Sequence, residues 1–323
     1  MRAILAREPG GPEVLAWEEI PAPTPGSGEL LVRLHAAGVN FIDTYQRSGV
    51  YPMRFPHVPG SEGSGTVLGC GPDVPFAVGD RVAWSSAPGS YAEYVLVPAA
   101  SALAVPDGVD LDTAAALPLQ GLTAHYLTRS THPVSEGTTV LLTAGAGGVG
   151  QLVIQLAKAR GATVITTVGT QAKAALAREA GADHVLVMAD LAMADLPDAV
   201  RALVPGGVDV SYDGVGRDTF EATLACLRPR GLQVLFGGAS GQVPPFDLQR
   251  LNALGSLFVT RPSLGAYIAT REELEWRAGE LFGMVAEGTL RVRIGRTEEL
   301  RRARVAHEAL EGRATTGKVL LTA

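Results

Sequence analysis

The spacing of apolar residues divides the chain into two kinds of pattern. About 120 residues at the start hold short apolar segments between Pro/Gly clusters such as 21–26, which is typical of a strand-and-turn domain. From Thr138 onward, strand-like segments alternate with helix-like segments, which predicts an α/β fold with a doubly wound, parallel, six-stranded sheet. The segment Lys318–Leu321 is strand-like again, and a strand that follows a complete parallel sheet most easily returns to the first domain. We therefore predict an outer domain formed by 1–122 and 265–323, with a second domain at 123–264 inserted in it.

The same patterns give the individual elements. The predicted outer-domain strands are Arg2–Ala6, Leu30–Ala36, Gly65–Leu68, Arg81–Trp84 and Tyr91–Val97. The predicted strands of the inserted domain are Val140–Thr143, Thr163–Val168, His184–Val187, Val208–Tyr212, Gln233–Phe236 and Leu257–Val259. After these we predict a helix over Thr270–Glu287, a strand near Arg291–Ile294 and a helix over Glu298–Leu310.

A glycine-rich turn carries the strongest chemical signal. Gly145, Ala146, Gly147, Gly148, Val149 and Gly150 match G-x-G-x-x-G. A buried strand precedes this turn and an amphipathic helix, Gln151–Arg160, follows it. In that context the turn places a dinucleotide pyrophosphate at a helix N-terminus, so the inserted domain is expected to be a Rossmann domain.

The end of the second strand bears on the choice of dinucleotide. An NAD site usually has an acidic residue there for the ribose hydroxyls, but 166–170 contains no carboxylate. Lys173 could pair with a 2′-phosphate, and Thr170, which follows Gly169, could donate a hydrogen bond to it. We therefore predict NADPH as the cofactor. The alternative is that Lys173 is merely an exposed residue in the first turn of a helix.

Composition narrows the function classes. A net charge of −6, without a long basic run, argues against nucleic acid as the main partner. Two cysteines and no recognisable secretory signal favour a reducing cytoplasm. The uncharged segment 137–157 changes from strand to helix periodicity and contains glycines and glutamines, so we expect no membrane span.

Several further motifs carry a family resemblance. The segments 59–65 and 78–82 and the glycine turn resemble the medium-chain dehydrogenase/reductase superfamily. The segments 37–45, 47–52, 212–216 and 260–264 are similar to its zinc-free NADPH:quinone oxidoreductases, the zeta-crystallin-type branch. The resemblance implies that the outer domain is a GroES-like, partly open barrel and that the protein forms a homodimer.

The metal ligands of the zinc-dependent relatives are replaced in this chain. Asn40 and Ser61 stand where those relatives have a cysteine and a histidine. An amide and a hydroxyl are poor zinc ligands, and the six histidines lack metal-ligand spacing. We therefore expect metal-independent chemistry. A quinone suits such a site because it already accepts electrons well, so that the protein mainly orients the two reactants and excludes water.

The candidate site residues follow from these motifs. Asn40, Tyr45 and Tyr51 are candidates for positioning the quinone between the two domains, through a hydrogen bond to its carbonyl or through ring contacts. Asp43 is as compatible with pairing or capping as with substrate contact. The resemblance adds further cofactor contacts at Asn40, Thr123, Phe236, Gly237, Val259 and Arg313. An exposed loop position is the alternative interpretation of Arg313.

Three functions remain open from the sequence. The first is an NADPH-dependent quinone reductase that needs no metal. The second is an NADPH-dependent reductase of α,β-unsaturated carbonyls, which usually benefits from a proton donor. The third is a non-catalytic, NADPH-binding structural or regulatory protein. In each case the apolar segment Leu257–Thr260 could be an edge strand that pairs with its twin in a homodimer.

Overall fold

The computed structural model describes residues 1–323 and consists of two compact units. The first unit contains Met1–Leu122 and Ile268–Ala323, and the second contains Thr123–Tyr267. No helix is long and apolar enough to cross a membrane.

The first unit is built mainly of strands, as its alternating apolar positions predict. Its strands are β1 (Arg2–Ala6), β2 (Leu15–Glu19), β3 (Glu29–Val39), β4 (Glu62–Cys70), β5 (Arg81–Trp84), β6 (Tyr94–Pro98), β7 (Leu103–Ala104), β14 (Ile294–Glu299) and β15 (Lys318–Thr322). Its helices are α1 (Phe41–Arg47), α2 (Leu111–Ala116), α10 (Arg271–Ala286) and α11 (Ala303–Glu311), and α3 (Pro118–Tyr126) leads into the second unit.

The central sheet of this unit pairs the last strand of the chain, β15, with β3 near its start. Its strand order is β14-β15-β3-β4-β5-β7, with β6 also paired to β3. In the pairing of β15 with β3, Leu320 lies opposite Gly38, and in the pairing of β3 with β4, Gly38 lies opposite Glu62. The strands therefore place the start of β15, the end of β3 and the start of β4 side by side. The main core of the unit packs around Trp84 and Tyr91, both fully buried.

The second unit confirms the predicted α/β architecture. Its strands are β8 (Thr139–Leu142), β9 (Thr163–Val168), β10 (His184–Val187), β11 (Val208–Asp213), β12 (Leu227–Leu235) and β13 (Phe258–Thr260). Its further helices are α4 (Gly148–Lys158), α5 (Gln171–Glu179), α6 (Leu196–Leu203), α7 (Phe220–Ala225), α8 (Gln249–Ala253) and α9 (Leu264–Tyr267). All strands are parallel in the order β10-β9-β8-β11-β12-β13, the order of a doubly wound dinucleotide-binding sheet.

The C-terminal elements differ from the sequence prediction. A strand was expected near Arg291–Ile294 and a helix over Glu298–Leu310, but β14 runs over Ile294–Glu299 and α11 begins at Ala303. Both predicted elements exist with shifted bounds, because β14 is strongly polar, which is unusual for a strand, and a short 3-10 turn over Leu300–Arg302 precedes α11. Glu298 in β14 forms ion pairs with Arg296 and Arg302, so the charges of this edge strand are compensated.

Candidate active site

The glycine-rich turn connects β8 to α4, as expected from the sequence. Gly145 donates its backbone N–H to the carbonyl of Thr167 at 3.1 Å, which holds the turn against the end of β9. A Cβ atom on Gly150 would overlap the carbonyl oxygen of Ala144 and lie 2.9 Å from Cα of Gly145. Only a glycine therefore lets α4 start this close to the turn, an arrangement that opens a helix N-terminus to an anion.

The predicted 2′-phosphate residues lie together where β9 meets α5. The Thr170 side-chain oxygen caps α5 by accepting the backbone N–H of Lys173 at 3.3 Å, so its hydroxyl hydrogen can still be donated elsewhere. A Cβ on Gly169 would meet no atom within 4 Å. Arg313, by contrast, belongs to the first unit, in the turn between α11 and β15.

The predicted residues after β12 pack on the turn after β11. The ring of Phe236 would lie 2.8 Å from a Cβ on Gly214, and a Cβ on Gly237 would lie 2.9 Å from Cα of Gly214. Asp213 organises this turn because its buried carboxylate accepts hydrogen bonds from Thr143, from Thr219 and from backbone N–H groups of the turn. The carboxylate thus joins the ends of β8 and β11, and the backbone carbonyl of Asp213 accepts the N–H of Phe236 after β12, at the edge where nucleotides bind in such sheets.

Two further predicted contacts have less specific surroundings. Thr123 lies in α3 and is buried, while Val259 lies in β13, the last strand of the sheet, and is 38% exposed. A cavity of about 440 Å³ lies beside β13 and includes Asp209 and Arg228. These two residues are at the amino-terminal starts of β11 and β12, so the cavity is not at the carboxyl ends where the glycine turn lies.

Asn40 lies in a buried ionic cluster in the first unit. Its side-chain Nδ2 donates to Oε2 of Glu62 at 2.7 Å and to the carbonyl of Gly38 at 3.3 Å. Its Oδ1 accepts a hydrogen bond of 2.8 Å from Nζ of Lys318, which also forms an ion pair with Glu62. The other carboxylate oxygen of Glu62 accepts the backbone N–H of Leu119 at 2.7 Å.

These contacts determine what Asn40 can offer to a ligand. The reverse amide orientation would place Nδ2 against the Lys318 ammonium and Oδ1 against the Glu62 carboxylate, so the charges fix the assignment. Both amide hydrogens are already donated, which leaves a lone pair of Oδ1. In this geometry Asn40 offers a hydrogen-bond acceptor and has no free amide hydrogen for a quinone carbonyl.

A second buried network begins at the backbone of Asn40. Asp43 accepts the Asn40 N–H at 2.8 Å through its carboxylate and donates its own backbone N–H to the Asn40 backbone carbonyl at 3.1 Å, which fixes the start of α1. The Tyr91 hydroxyl donates to the same carboxylate at 3.0 Å and lies 3.2 Å from Nε2 of His307. His307 Nδ1 lies 2.9 Å from Arg47 Nη1, and because a guanidinium only donates, Nδ1 is the acceptor and Nε2 carries the hydrogen.

Burial shifts the pKa values within this network in opposite directions. Desolvation of the fully buried carboxyl raises the pKa of Asp43 from 3.8 to about 7, although the Asn40 N–H, Tyr91 and Lys318 act against the shift. Burial, assisted by the charge of Arg47, lowers the pKa of His307 from 6.5 to about 3. Burial and the nearby Asp43 raise the pKa of Tyr91 well above 10. The Asp43 carboxyl caps α1 through the Asn40 N–H and accepts a hydrogen bond from Tyr91.

The two predicted tyrosines meet beside α1. The ring centroids of Tyr45 and Tyr51 are 5.5 Å apart in an edge-to-face contact, and those of Phe41 and Tyr45 are 6.3 Å apart. Tyr51 is 38% exposed. The three rings form an aromatic surface that is partly open, and such a surface suits a planar ring.

The residues present do not fit a catalytic zinc ion. The Asn40 oxygen already accepts from an ammonium group, and Ser61 offers a neutral hydroxyl. Nowhere in the chain do three or more His, Cys, Asp or Glu side chains form a group that could hold a metal ion. Zinc sites of dehydrogenases use thiolate and imidazole ligands, and this donor set lacks both.

Several residues of these networks were missed by the sequence analysis, namely Glu62, Tyr91, Asp213, His307 and Lys318. Lys318 gave a usable signal, because it is one of three lysines in the chain and starts an otherwise apolar strand. The pairing of Lys318 with Glu62, 256 residues away, could not be read from local patterns.

Comparison with known proteins places these features in a family. Residues 26–107 match the alcohol dehydrogenase GroES-like domain, and residues 148–277 match the zinc-binding dehydrogenase family. A quinone oxidoreductase of Pseudomonas aeruginosa is 45% identical over 316 residues, which cover 97% of this chain and 96% of that protein. A 2-haloacrylate reductase of a Burkholderia species is 40% identical over 99% of this chain and 98% of its own length.

Solved structures agree with the sequence relatives. The Escherichia coli quinone oxidoreductase, solved as a complex with NADPH, superposes with a TM-score of 0.97 at 42% identity, with full coverage of both chains. The GroES-like and dehydrogenase matches, the sheet order and the full-length relatives agree. The chain therefore belongs to the medium-chain dehydrogenase/reductase superfamily, in the branch of the quinone oxidoreductases.

Proposed function

We propose that this protein is an NADPH-dependent quinone reductase that works without a metal ion. The observation that carries the proposal is the composition of the two sites. The second unit has a glycine turn and, between β9 and α5, Thr170 and Lys173 without an acidic residue, and the first has an ammonium–carboxylate–amide cluster in place of zinc ligands. The quinone oxidoreductase relatives and the NADPH complex of the Escherichia coli protein support it.

The second unit provides groups for each part of NADPH. Gly145, Ala146, Gly147, Gly148 and Val149 would receive the pyrophosphate at the start of α4. Gly169, Thr170 and Lys173 would receive the adenosine ribose and its phosphate, and Arg313 of the first unit would add a further cation. Phe236, Gly237, Thr123 and Val259 would border the nicotinamide.

The reaction requires little covalent chemistry from the protein. When bound, NADPH supplies the reducing equivalents that a quinone accepts readily. The rings of Tyr45 and Tyr51 would orient the planar acceptor, and Asn40 would accept a hydrogen bond from a donor group of the cofactor.

Steady-state turnover tests the proposal. We expect NADPH oxidation with simple quinones, with kcat/KM at least tenfold higher for NADPH than for NADH, and no loss after treatment with a chelator. Stoichiometric zinc that turnover requires would contradict a metal-independent reaction, and NADPH binding without oxidation by any acceptor would favour a structural or regulatory role.

A second activity has specific support. The 2-haloacrylate reductase relative acts, by its name, on an activated alkene, so reduction of α,β-unsaturated carbonyls is the alternative. Such a reaction needs a proton at carbon, and the tyrosines are the hydroxyl groups proposed near the acceptor. The rates of NADPH oxidation with a quinone and with an alkenal distinguish the two activities. We expect a higher kcat/KM for the quinone.

We also propose a homodimer and a cytoplasmic location. β13 is the terminal strand of its sheet, and Phe258 and Val259 on it are 60% and 38% exposed. An exposed apolar edge strand is a ready partner for a second copy across a two-fold axis. Both cysteines, Cys70 and Cys226, are free, which supports a reducing compartment.

A further inference from the structure

Three neighbouring strands bring an ion pair and an amide together without access to water. Lys318 starts β15, Glu62 starts β4, and Asn40 follows β3. The side chains of Lys318 and Glu62 are fully buried, and Asn40 is 5% exposed. Removing two charges from water costs free energy, so a buried ion pair is expected to have a local structural or functional role.

Gly38 shows that the fold makes room for this pair. A Cβ atom at position 38 would overlap Oε2 of Glu62 and lie 2.7 Å from Cε of Lys318. Gly38 also provides the carbonyl that accepts the second Asn40 amide hydrogen at 3.3 Å. The absence of a side chain at 38 therefore lets both charges reach Asn40.

The ion pair acts on Asn40 from both ends of its amide. The carboxylate of Glu62 accepts from Nδ2, and the ammonium of Lys318 donates to Oδ1. Reversal of the amide would create two repulsive contacts, so the pair holds one orientation of a group that is otherwise nearly symmetric. In that orientation Asn40 has an acceptor lone pair to offer and no spare hydrogen.

We propose that Lys318 is a positioning residue that, with Glu62, locks Asn40 as a hydrogen-bond acceptor, so that the ligand group meeting Asn40 is a donor. On the cofactor, the carboxamide NH₂ and the ribose hydroxyls are such donors, whereas a quinone carbonyl is not. The proposal rests on the proposed function for the claim that Asn40 meets the cofactor.

Selective labelling gives a test that does not depend on turnover. Asn40 and Asn252 are the two asparagines of the chain, so ¹⁵N-asparagine labelling yields two side-chain amide pairs, with the exposed helix residue Asn252 as the internal reference. We expect the Asn40 amide hydrogens to exchange with water at least tenfold more slowly than those of Asn252.

The matched variants are Lys318→Met, Glu62→Gln and the double change, with Lys318→Arg as the conservative variant. The single changes leave a buried charge unpaired and should lower Tm, whereas the neutral double variant should recover much of the loss. In the double variant we expect the Asn40 resonances to shift and their exchange to approach that of Asn252. Unchanged Asn40 resonances in a folded double variant would overturn the proposal.

Kinetics test whether Lys318 acts through Asn40. We expect Asn40→Ala and the neutral double variant each to lower kcat/KM for NADPH about tenfold or more, and the triple variant to be no worse than Asn40→Ala. Lys318→Arg should recover part of the loss. Additive losses in the triple variant would overturn the positioning role.

The proposed function and the positioning role of Lys318 are contradicted by different results. Absence of NADPH oxidation by the unmodified protein would contradict the proposed function, while the slow exchange of the Asn40 amide would still support the lock. Normal turnover by Asn40→Ala would instead leave the reductase assignment in place and overturn the positioning role of Lys318.

Discussion

The Tyr91 hydroxyl donates a 3.0 Å hydrogen bond to Asp43, and the same hydroxyl lies 3.2 Å from His307. Tyr91 thus joins an acid and a base whose pKa values burial moves in opposite directions, to about 7 for Asp43 and to about 3 for His307. Between about pH 4 and pH 6.5 the folded state holds one more proton on Asp43 than the unfolded chain and one fewer on His307. Their contributions to the pH dependence of stability should therefore nearly cancel.

Single substitutions should reveal the two cancelling slopes. In Asp43→Asn, His307 remains, and the free energy of unfolding should rise with pH from about 4 to 6.5, by up to about 1.4 kcal/mol per pH unit relative to the unmodified protein. In His307→Gln, Asp43 remains with its raised pKa, and stability should fall as the pH rises from about 4 to 7.

Urea denaturation at pH 4.5, 5.5 and 6.5 measures both effects. Arg47, its ion-pair partner Glu311, Glu62 and Lys318 carry the other charges around this network and are present in both variants, so the comparison isolates the two titrating groups. Slopes of the same sign in the two variants would show that burial does not shift these pKa values as described.

Lys173 should determine the preference for the phosphorylated cofactor. A charged hydrogen bond to a phosphate contributes about 1.5–3 kcal/mol, so Lys173→Ala should lower kcat/KM for NADPH about tenfold or more. The kcat/KM for NADH should remain nearly unchanged. Arg178→Ala removes a cation from the last turn of the same helix and is the matched control. An unaltered ratio of kcat/KM for NADPH and NADH in Lys173→Ala would refute the phosphate assignment.

Substitutions at two glycines should distinguish an effect on folding stability from an effect on cofactor binding. A Cβ on Gly150 would overlap the backbone of Ala144, so Gly150→Ala should lower both Tm and NADPH affinity. A Cβ on Gly169 meets nothing within 4 Å in the protein, so Gly169→Ala should leave Tm unchanged. If NADPH lies against Gly169, the same substitution should lower the affinity for NADPH. Thermal unfolding and titration of NADPH fluorescence measure the two quantities, and tight binding by Gly169→Ala would remove Gly169 from the cofactor site.

The parts that the sequence predicted well depend on local patterns. The glycine turn needs a strand before it and a helix after it, and all of its residues are adjacent along the chain. The six parallel strands likewise follow from short apolar segments that alternate with helices. Short-range periodicity is sufficient for such elements because burial of one face or of a whole strand determines them.

The parts that the sequence did not predict depend on contacts between distant segments. The predicted strand Gly65–Leu68 begins three residues too late, which leaves Glu62 out of the sheet and hides its position beside Gly38. Lys318 reaches Asn40 across 278 residues. A buried charge looks like a surface charge in the sequence until the strand pairing shows what lies opposite, so the acceptor role of Asn40 could not have been predicted.

Tyr51 should act through its ring. An aromatic contact contributes about 0.5–1.5 kcal/mol, so Tyr51→Leu should raise KM for a planar quinone several-fold, whereas Tyr51→Phe should change it less than twofold. Trp276→Leu alters an aromatic residue of similar exposure, 44%, on α10 and controls for nonspecific effects. Equal losses in Tyr51→Phe and Tyr51→Leu would instead assign the effect to the hydroxyl.

The edge strand β13 should hold the proposed dimer together. Phe258 is 60% exposed there, and a lysine at this position would place a charge in an apolar two-fold contact, so Phe258→Lys should shift the protein toward monomer. Leu248→Lys is the control, because Leu248 is 69% exposed in the same unit but lies outside β13. Light scattering after gel filtration gives the mass directly, which for one chain is 33.5 kDa. A monomeric unmodified protein, or a Phe258→Lys variant that stays dimeric while Leu248→Lys dissociates, would move the contact away from β13.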